Sequence, residues 1–167
     1  FGHGPMNTNL AQLARAYLVF ANEGALPSLK LLKMDNQNET FAQVFTPEST
    51  KRISQILDSV ASDNGSGYRA VIDGYSVAGK TGTAEMVIDG QYNKDGAKRT
   101  YFVGYSPADK PKYIMAVRLD YPKKCFVSWD PTMRNRCEGS NSASMAFKKA
   151  MERILINDPE VISLLEG

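Results

Sequence analysis

Apolar residues recur at helical spacing near the start of the chain. Leu10, Leu13, Ala14, Tyr17 and Leu18 stand at i, i+3, i+4, i+7 and i+8, which puts them on one helix face. Asn7 or Thr8 is expected to cap this helix with a side-chain oxygen, and Gly24 to end it in a left-handed position. Pro27 then prevents its resumption. Leu29 to Met34 is a short apolar run that reads as a strand, and Phe41 to Phe45 reads as another, with a polar turn between them. Thr46-Pro47-Glu48 opens a second helix: threonine caps, proline suits the first turn, and glutamate faces the positive helix end. Ile53, Ile56, Leu57 and Val60 form its apolar stripe, and the stretch from Ser62 to Gly67 breaks it.

The pattern then changes period. Tyr75 to Met86 reads as extended, with small residues from Gly79 to Ala84. Thr100 to Tyr105 and Tyr113 to Leu119 are rich in aromatic and β-branched residues, with Ser106-Pro107-Ala108-Asp109 as the turn between them. Asp89-Gly90 and Asp95-Gly96 are further turn signals. Short connections between successive strands imply antiparallel hairpins. After an irregular stretch from Lys123 to Gly139, a last helix begins near Asn141 or Ser142. Ala143, Ala146, Phe147, Ala150, Ile154 and Leu155 give it an apolar face, and Asp158-Pro159 stops it. The order predicts an α+β fold with an antiparallel sheet.

Composition narrows the function. The 167 residues suit one domain, and 20 Lys+Arg against 18 Asp+Glu leave a net charge of +2. That balance argues against a nucleic-acid partner, which would draw a basic surface. No apolar run approaches a membrane span, and no signal-peptide pattern marks the start. The opening phenylalanine suggests a piece of a longer chain. The one histidine, His3, stands in a Gly-Pro-rich terminus, which disfavours a histidine-dependent triad. Cys125 and Cys137 lack two further close ligands for zinc, so no metal is expected; they are a disulfide or two buried thiols.

The sharpest motif is Val77-Ala78-Gly79-Lys80-Thr81-Gly82-Thr83-Ala84. Gly74 to Thr81 fits the phosphate-loop pattern G-x-x-x-x-G-K-[ST] letter for letter, which makes a P-loop nucleotide-binding protein one reading. A phosphate loop, however, needs a helix after the lysine, with its N-terminus aimed at the phosphates. Only Thr83 to Ile88 precede the Asp89-Gly90 turn, too few for that helix. The other reading is the K-T-G element of penicillin-recognising enzymes, Lys80-Thr81-Gly82, on an edge strand.

The neighbours of this motif carry a resemblance. Phe1-Gly2-His3-Gly4, then Leu10-Ala11-Gln12-Leu13-Ala14-Arg15-Ala16-Tyr17, then Ala21-Asn22-Glu23-Gly24, resemble the matching segments of class B penicillin-binding proteins, most closely of the division-specific (septal) Gram-negative type. Gly65-Ser66-Gly67-Tyr68-Arg69-Ala70 resembles the glycine-rich loop before the K-T-G strand. The resemblance implies a peptidoglycan D,D-transpeptidase that needs no cofactor: a serine attacks the D-Ala–D-Ala bond of a stem peptide, and the acyl-enzyme is resolved by an amine. It implies that Lys80, Thr81, Gly82 and Thr83 bind the substrate or β-lactam carboxylate, with the Thr83 N–H as half of the oxyanion hole. The strand's small residues would let the substrate backbone approach and pair.

The nucleophile is not in this chain, because no serine is followed three positions later by lysine. Ser62-Asp63-Asn64 spells an S-x-N element but falls after the second helix, where it reads as a helix stop. The resemblance thus makes residues 1–167 the C-terminal portion of a single transpeptidase domain, inactive alone. Its partners would be cell-division proteins, and its place the periplasmic face of the bacterial inner membrane. That compartment is oxidising, so a structural Cys125–Cys137 disulfide is expected. Lys123 to Gly139 is longer than the short Gly-Gly segment of many members. A non-catalytic interaction module of the same fold is the remaining alternative.

Overall fold

The computed structural model describes residues 7–30, 41–92, 97–123, 125 and 137–161. His3, Trp129, Met133 and the Asp95-Gly96 turn signal lie outside them. Helix α1 spans Leu10–Ala21 and is capped by Asn9 rather than by Asn7 or Thr8. The reason is Gln12. Its backbone N–H donates to Asn9 Oδ1 (2.8 Å) while its side chain accepts from the Asn9 N–H (3.3 Å), a reciprocal pair only Asn9 can make. At the other end Gly24 takes the expected left-handed conformation, and Glu23 before it, with φ of 50°, takes one as well. Gly24 follows at φ 90° and donates its N–H to Val19 O (2.8 Å).

Strand β1 is Ala25–Pro27, earlier than the Leu29 to Met34 run, most of which lies outside the described residues. It pairs antiparallel with β2, Phe41–Gln43, and Pro27 stands at the ribbon's end, where a missing N–H does little harm. Helix α2 spans Pro47–Val60, with Thr46 as its cap and Glu48 in its first turn. Ile53 and Leu57 face the core, but Ile56 is 63% exposed, so the stripe is narrower than the sequence suggests.

The central sheet has the order β3 (Ala78–Glu85), β6 (Lys98–Ser106), β7 (Tyr113–Asp120), all antiparallel. Between β3 and β6 a small ribbon, β4 (Val87–Ile88) and β5 (Gln91–Tyr92), turns at Asp89-Gly90, both at positive φ. Strand alternation sends two sets of side chains to opposite faces. On one face Ala78, Tyr105 and Ile114 meet Tyr17, Phe20 and Ala21 of α1 and Ile53 and Leu57 of α2. On the other, Phe102, Met115, Val117 and Leu119 meet the last helix, α3, Ala143–Leu155. The result is a layered α+β structure with helices on both faces of an antiparallel sheet. Helix α3 buries Ala143, Phe147, Met151 and Leu155 at successive i+4 positions, whereas Ala150 is exposed and Ile154 partly so. Its buried stripe is therefore rotated from the expected one, with Met151 filling the core.

Phe102 is fully buried, and its ring lies 4.6 Å from that of Phe147. Three glycines surround it. A Cβ on Gly79 would stand 2.6 Å from the ring, on Gly104 3.0 Å and on Gly67 3.1 Å.

The end of α3 is latched to the start of β7. Lys112 Nζ lies 2.8 Å from Asp158 Oδ2 and 2.6 Å from Glu160 Oε2, and the Tyr113 hydroxyl donates to the same Asp158 carboxylate. The Lys112 and Tyr113 hydrogen bonds hold the Asp158 carboxyl down to about 2. A depressed carboxyl stabilises the fold above its unfolded value of roughly 4, and that contribution is lost as pH falls through the folded value. Between pH of about 4 and about 2, the unfolding midpoint should therefore fall more steeply in the native protein than in an Asp158→Asn variant. Superimposable acid limbs in a thermal melt series would show that the latch adds nothing.

Candidate substrate-binding site

Strand β3 carries the K-T-G residues and stands at an edge of the sheet, paired only with β6 among the described residues. Lys80 lies opposite Val103, Thr81 opposite Phe102, Gly82 opposite Tyr101 and Thr83 opposite Thr100. Lys80 and Thr83 are exposed, and Thr81 and Gly82 are half-buried. The P-loop reading fails here. Gly79 to Thr81 lie within a strand that continues to Glu85, and a two-stranded ribbon rather than a helix follows. Among the described residues no helix follows Lys80 to aim its N-terminus at a phosphate.

Alternation should send Lys80 and Thr81 to opposite faces, yet their polar ends meet. The Lys80 ammonium donates to Thr81 O (3.0 Å) and approaches Thr81 Oγ1 (3.5 Å). A four-carbon stem gives lysine that reach. The Ser66 hydroxyl lies 3.4 Å from Thr81 Oγ1, so the glycine-rich loop after α2 adds a third polar group. An ammonium beside two hydroxyls, open to solvent, is suited to a carboxylate.

Thr83 is held differently. Its Oγ1 accepts the Gly139 N–H at 3.0 Å. Gly139 begins a short 3-10 turn, Gly139–Asn141, that lies flat on the β3–β6 backbone. A Cβ there would stand 2.6 Å from Gly82 O and 2.8 Å from Tyr101 O, so only glycine fits. The turn is tied down further by the Ser142 hydroxyl, which donates to Thr100 Oγ1 (2.9 Å). The small residues of the strand thus serve the chain's own packing: Gly79 admits the Phe102 ring, and the backbone at Gly82 receives Gly139.

Ser62, of the S-x-N look-alike, donates its hydroxyl to Ser59 O (2.7 Å), closing the end of α2. Cys125 and Cys137 are joined, with Sγ atoms 2.02 Å and Cα atoms 5.2 Å apart, and both are buried. The residues that the sequence did not assign to the site are Ser66, Thr100, Gly139 and Ser142. A glycine just before a predicted helix was the available signal for the turn, but its target 56 residues earlier is set only by the fold.

Residues 1–152 match the family model described as the penicillin-binding protein transpeptidase domain. Over 124 residues, 74% of this chain, the sequence is 40% identical to the probable peptidoglycan D,D-transpeptidase PbpC of Pseudomonas aeruginosa. Over 160 residues, 93% of this chain, it is 32% identical to the peptidoglycan D,D-transpeptidase FtsI of Buchnera aphidicola subsp. Baizongia pistaciae. The chain spans 21% of the first relative and 26% of the second. The apo TP domain of Burkholderia pseudomallei penicillin-binding protein 3 has a similar structure, with a TM-score of 0.72 at 30% identity. That match covers 91% of this chain and 44% of the other.

Proposed function

Because the chain belongs to the penicillin-binding protein transpeptidase family, we propose that it is the C-terminal part of the catalytic domain of a peptidoglycan D,D-transpeptidase. The observation that carries this is the convergence of the Lys80 ammonium with the Thr81 and Ser66 hydroxyls on the open edge of β3. A stem peptide ending in D-Ala–D-Ala, or a β-lactam, presents a carboxylate. Lys80 pairs with that charge, and Thr81 and Thr83 donate hydroxyl hydrogen bonds to it. The unpaired edge of β3 receives the extended substrate backbone by strand addition.

The acylating serine is supplied from outside these residues. It attacks the carbonyl carbon of the penultimate D-Ala, and the developing oxyanion takes the Thr83 N–H as one of its donors. The leaving D-Ala departs, and an acceptor amine resolves the ester. Assignment to septal wall synthesis rests on the segment from Phe1 to Gly24 and agrees with a relative named FtsI. On this reading the complete protein works with cell-division proteins at the periplasmic face of the inner membrane.

Labelled penicillin tests the reading directly. The complete protein should form a stable acyl adduct by intact mass, and residues 1–167 alone should form none. An adduct on the isolated chain would place the nucleophile within it. A complete protein that never takes the label would support a non-catalytic module.

A further inference from the structure

The chain leaves the sheet at the end of β7 and returns to pack on β3, with β6 between them. Cys125 stands on the outgoing side and Cys137 on the returning side. Both are almost wholly buried, at 4% and 2% exposed, so the cross-link is anchored in the protein rather than hung from a loop. Two residues after Cys137, Gly139 donates its N–H to Thr83 Oγ1. The turn is held on the sheet by Ser142 on Thr100 and by Lys98 near Glu138 at 4.0 Å, and within itself by the Glu138 N–H on Asn141 Oδ1 at 2.7 Å, the Asn141 N–H on Glu138 O at 3.2 Å and the Ser142 hydroxyl on Glu138 O.

A hydroxyl has one proton and two lone pairs. When Gly139 fills a lone pair of Thr83 Oγ1, the Thr83 proton is excluded from that direction and seeks an acceptor elsewhere. Thr83 is exposed, so that proton faces the cleft as a donor. If the turn drifted, the hydroxyl would rotate freely and would lose its orientation toward an acceptor.

We propose that the Cys125–Cys137 disulfide is a positioning element for the substrate carboxylate: it clamps the Glu138–Ser142 turn onto β3 and so fixes Thr83 as a hydrogen-bond donor. The inference rests on the transpeptidase reading above. Cutting the cross-link removes the covalent tie between Cys125 and Cys137, and the turn's hydrogen bonds and packing alone must then hold its position on β3.

The test uses the complete protein with Cys125→Ala and Cys137→Ala together. Saturation kinetics with labelled penicillin separate the binding constant from the acylation rate constant. Binding should weaken about tenfold, the scale of one hydrogen bond to a charged group, with the rate constant little changed. In a Thr83→Val background the same cysteine pair should have no further effect, because the donor it orients is already gone. Unchanged binding overturns the proposal, and so does an equal loss in both backgrounds, which would mean general loosening. If the cysteine variant does not fold, Ser142→Ala with the disulfide intact should give a smaller binding loss that likewise vanishes with Thr83→Val. Amide exchange at Gly139 gives an answer independent of catalysis. Its N–H should be protected in the native protein and exposed once the cross-link is removed. A native protein that takes no label would condemn the functional reading, and the clamp would then stand or fall on exchange.

Discussion

Replacing Lys80 by alanine in the complete protein should slow acylation by labelled penicillin by about 10- to 100-fold without disturbing the fold. The lysine is exposed on an edge strand, and among the described residues its ammonium bonds to its neighbour Thr81, so the fold does not depend on it. The substrate would. A carboxylate arriving at the β3 edge is partly desolvated, and an ammonium within hydrogen-bond reach gives a charge-assisted contact roughly twice as strong as a neutral one. Loss of that partner leaves the carboxylate with two hydroxyls. Arginine would not restore the rate fully, because its planar fork cannot curl round the strand edge as the ammonium does. Stopped-flow acylation kinetics with circular dichroism as the fold control decide the matter, and native-like rates would remove Lys80 from the site.

The largest effect on stability should come from Phe102→Ala. The ring is fully buried against Phe147 and sits on β6 directly opposite Thr81. Removing a buried aromatic ring costs about 3–5 kcal/mol, because transfer energy is lost and the cavity collapses only in part. For a domain of this size the melting temperature should fall by about 10 °C. The sheet is close-packed on that side by α3, so little can move in to fill the gap. A shift below about 2 °C would show that the site relaxes freely, against the rigidity expected of a packed interior.

Much of this architecture was legible in the residues. Thr46-Pro47-Glu48 marks the start of α2, and the β-branched and aromatic runs mark β6 and β7, because those signals act within a few positions. The K-T-G strand could be told from a phosphate loop by counting residues to the next turn. The errors have local causes too. Asn7, Thr8 and Asn9 are all plausible caps, and only the side chain of Gln12 decides among them. A strand as short as Ala25–Pro27 has no room for alternation. Ile56 looked like core, but its direction depends on how α2 is rotated against β3, which a stripe of four residues does not fix. The docking of the Gly139 turn on β3 was invisible for a deeper reason. It exists only where residues far apart in sequence meet, so neither periodicity nor composition encodes it.

The ring of Phe102 also sets terms for how this chain can vary. Positions 67, 79 and 104 come from a loop and two different strands, and a Cβ at each would meet both this ring and a backbone oxygen: Val60 O at 3.0 Å from position 67, Val103 O at 2.8 Å from 79 and Ala78 O at 2.6 Å from 104. Shrinking position 102 would not admit a methyl group at position 79, because the backbone oxygen of Val103 would still stand 2.8 Å from it, and it would open the cavity just described. A matched change at 102 and one of the glycines therefore does not relieve what the glycine change costs on its own. The segment that bears Lys80 is in this way held to glycine at 79 by ring and backbone together, and steps away from the present combination, single or paired, lead downhill in stability.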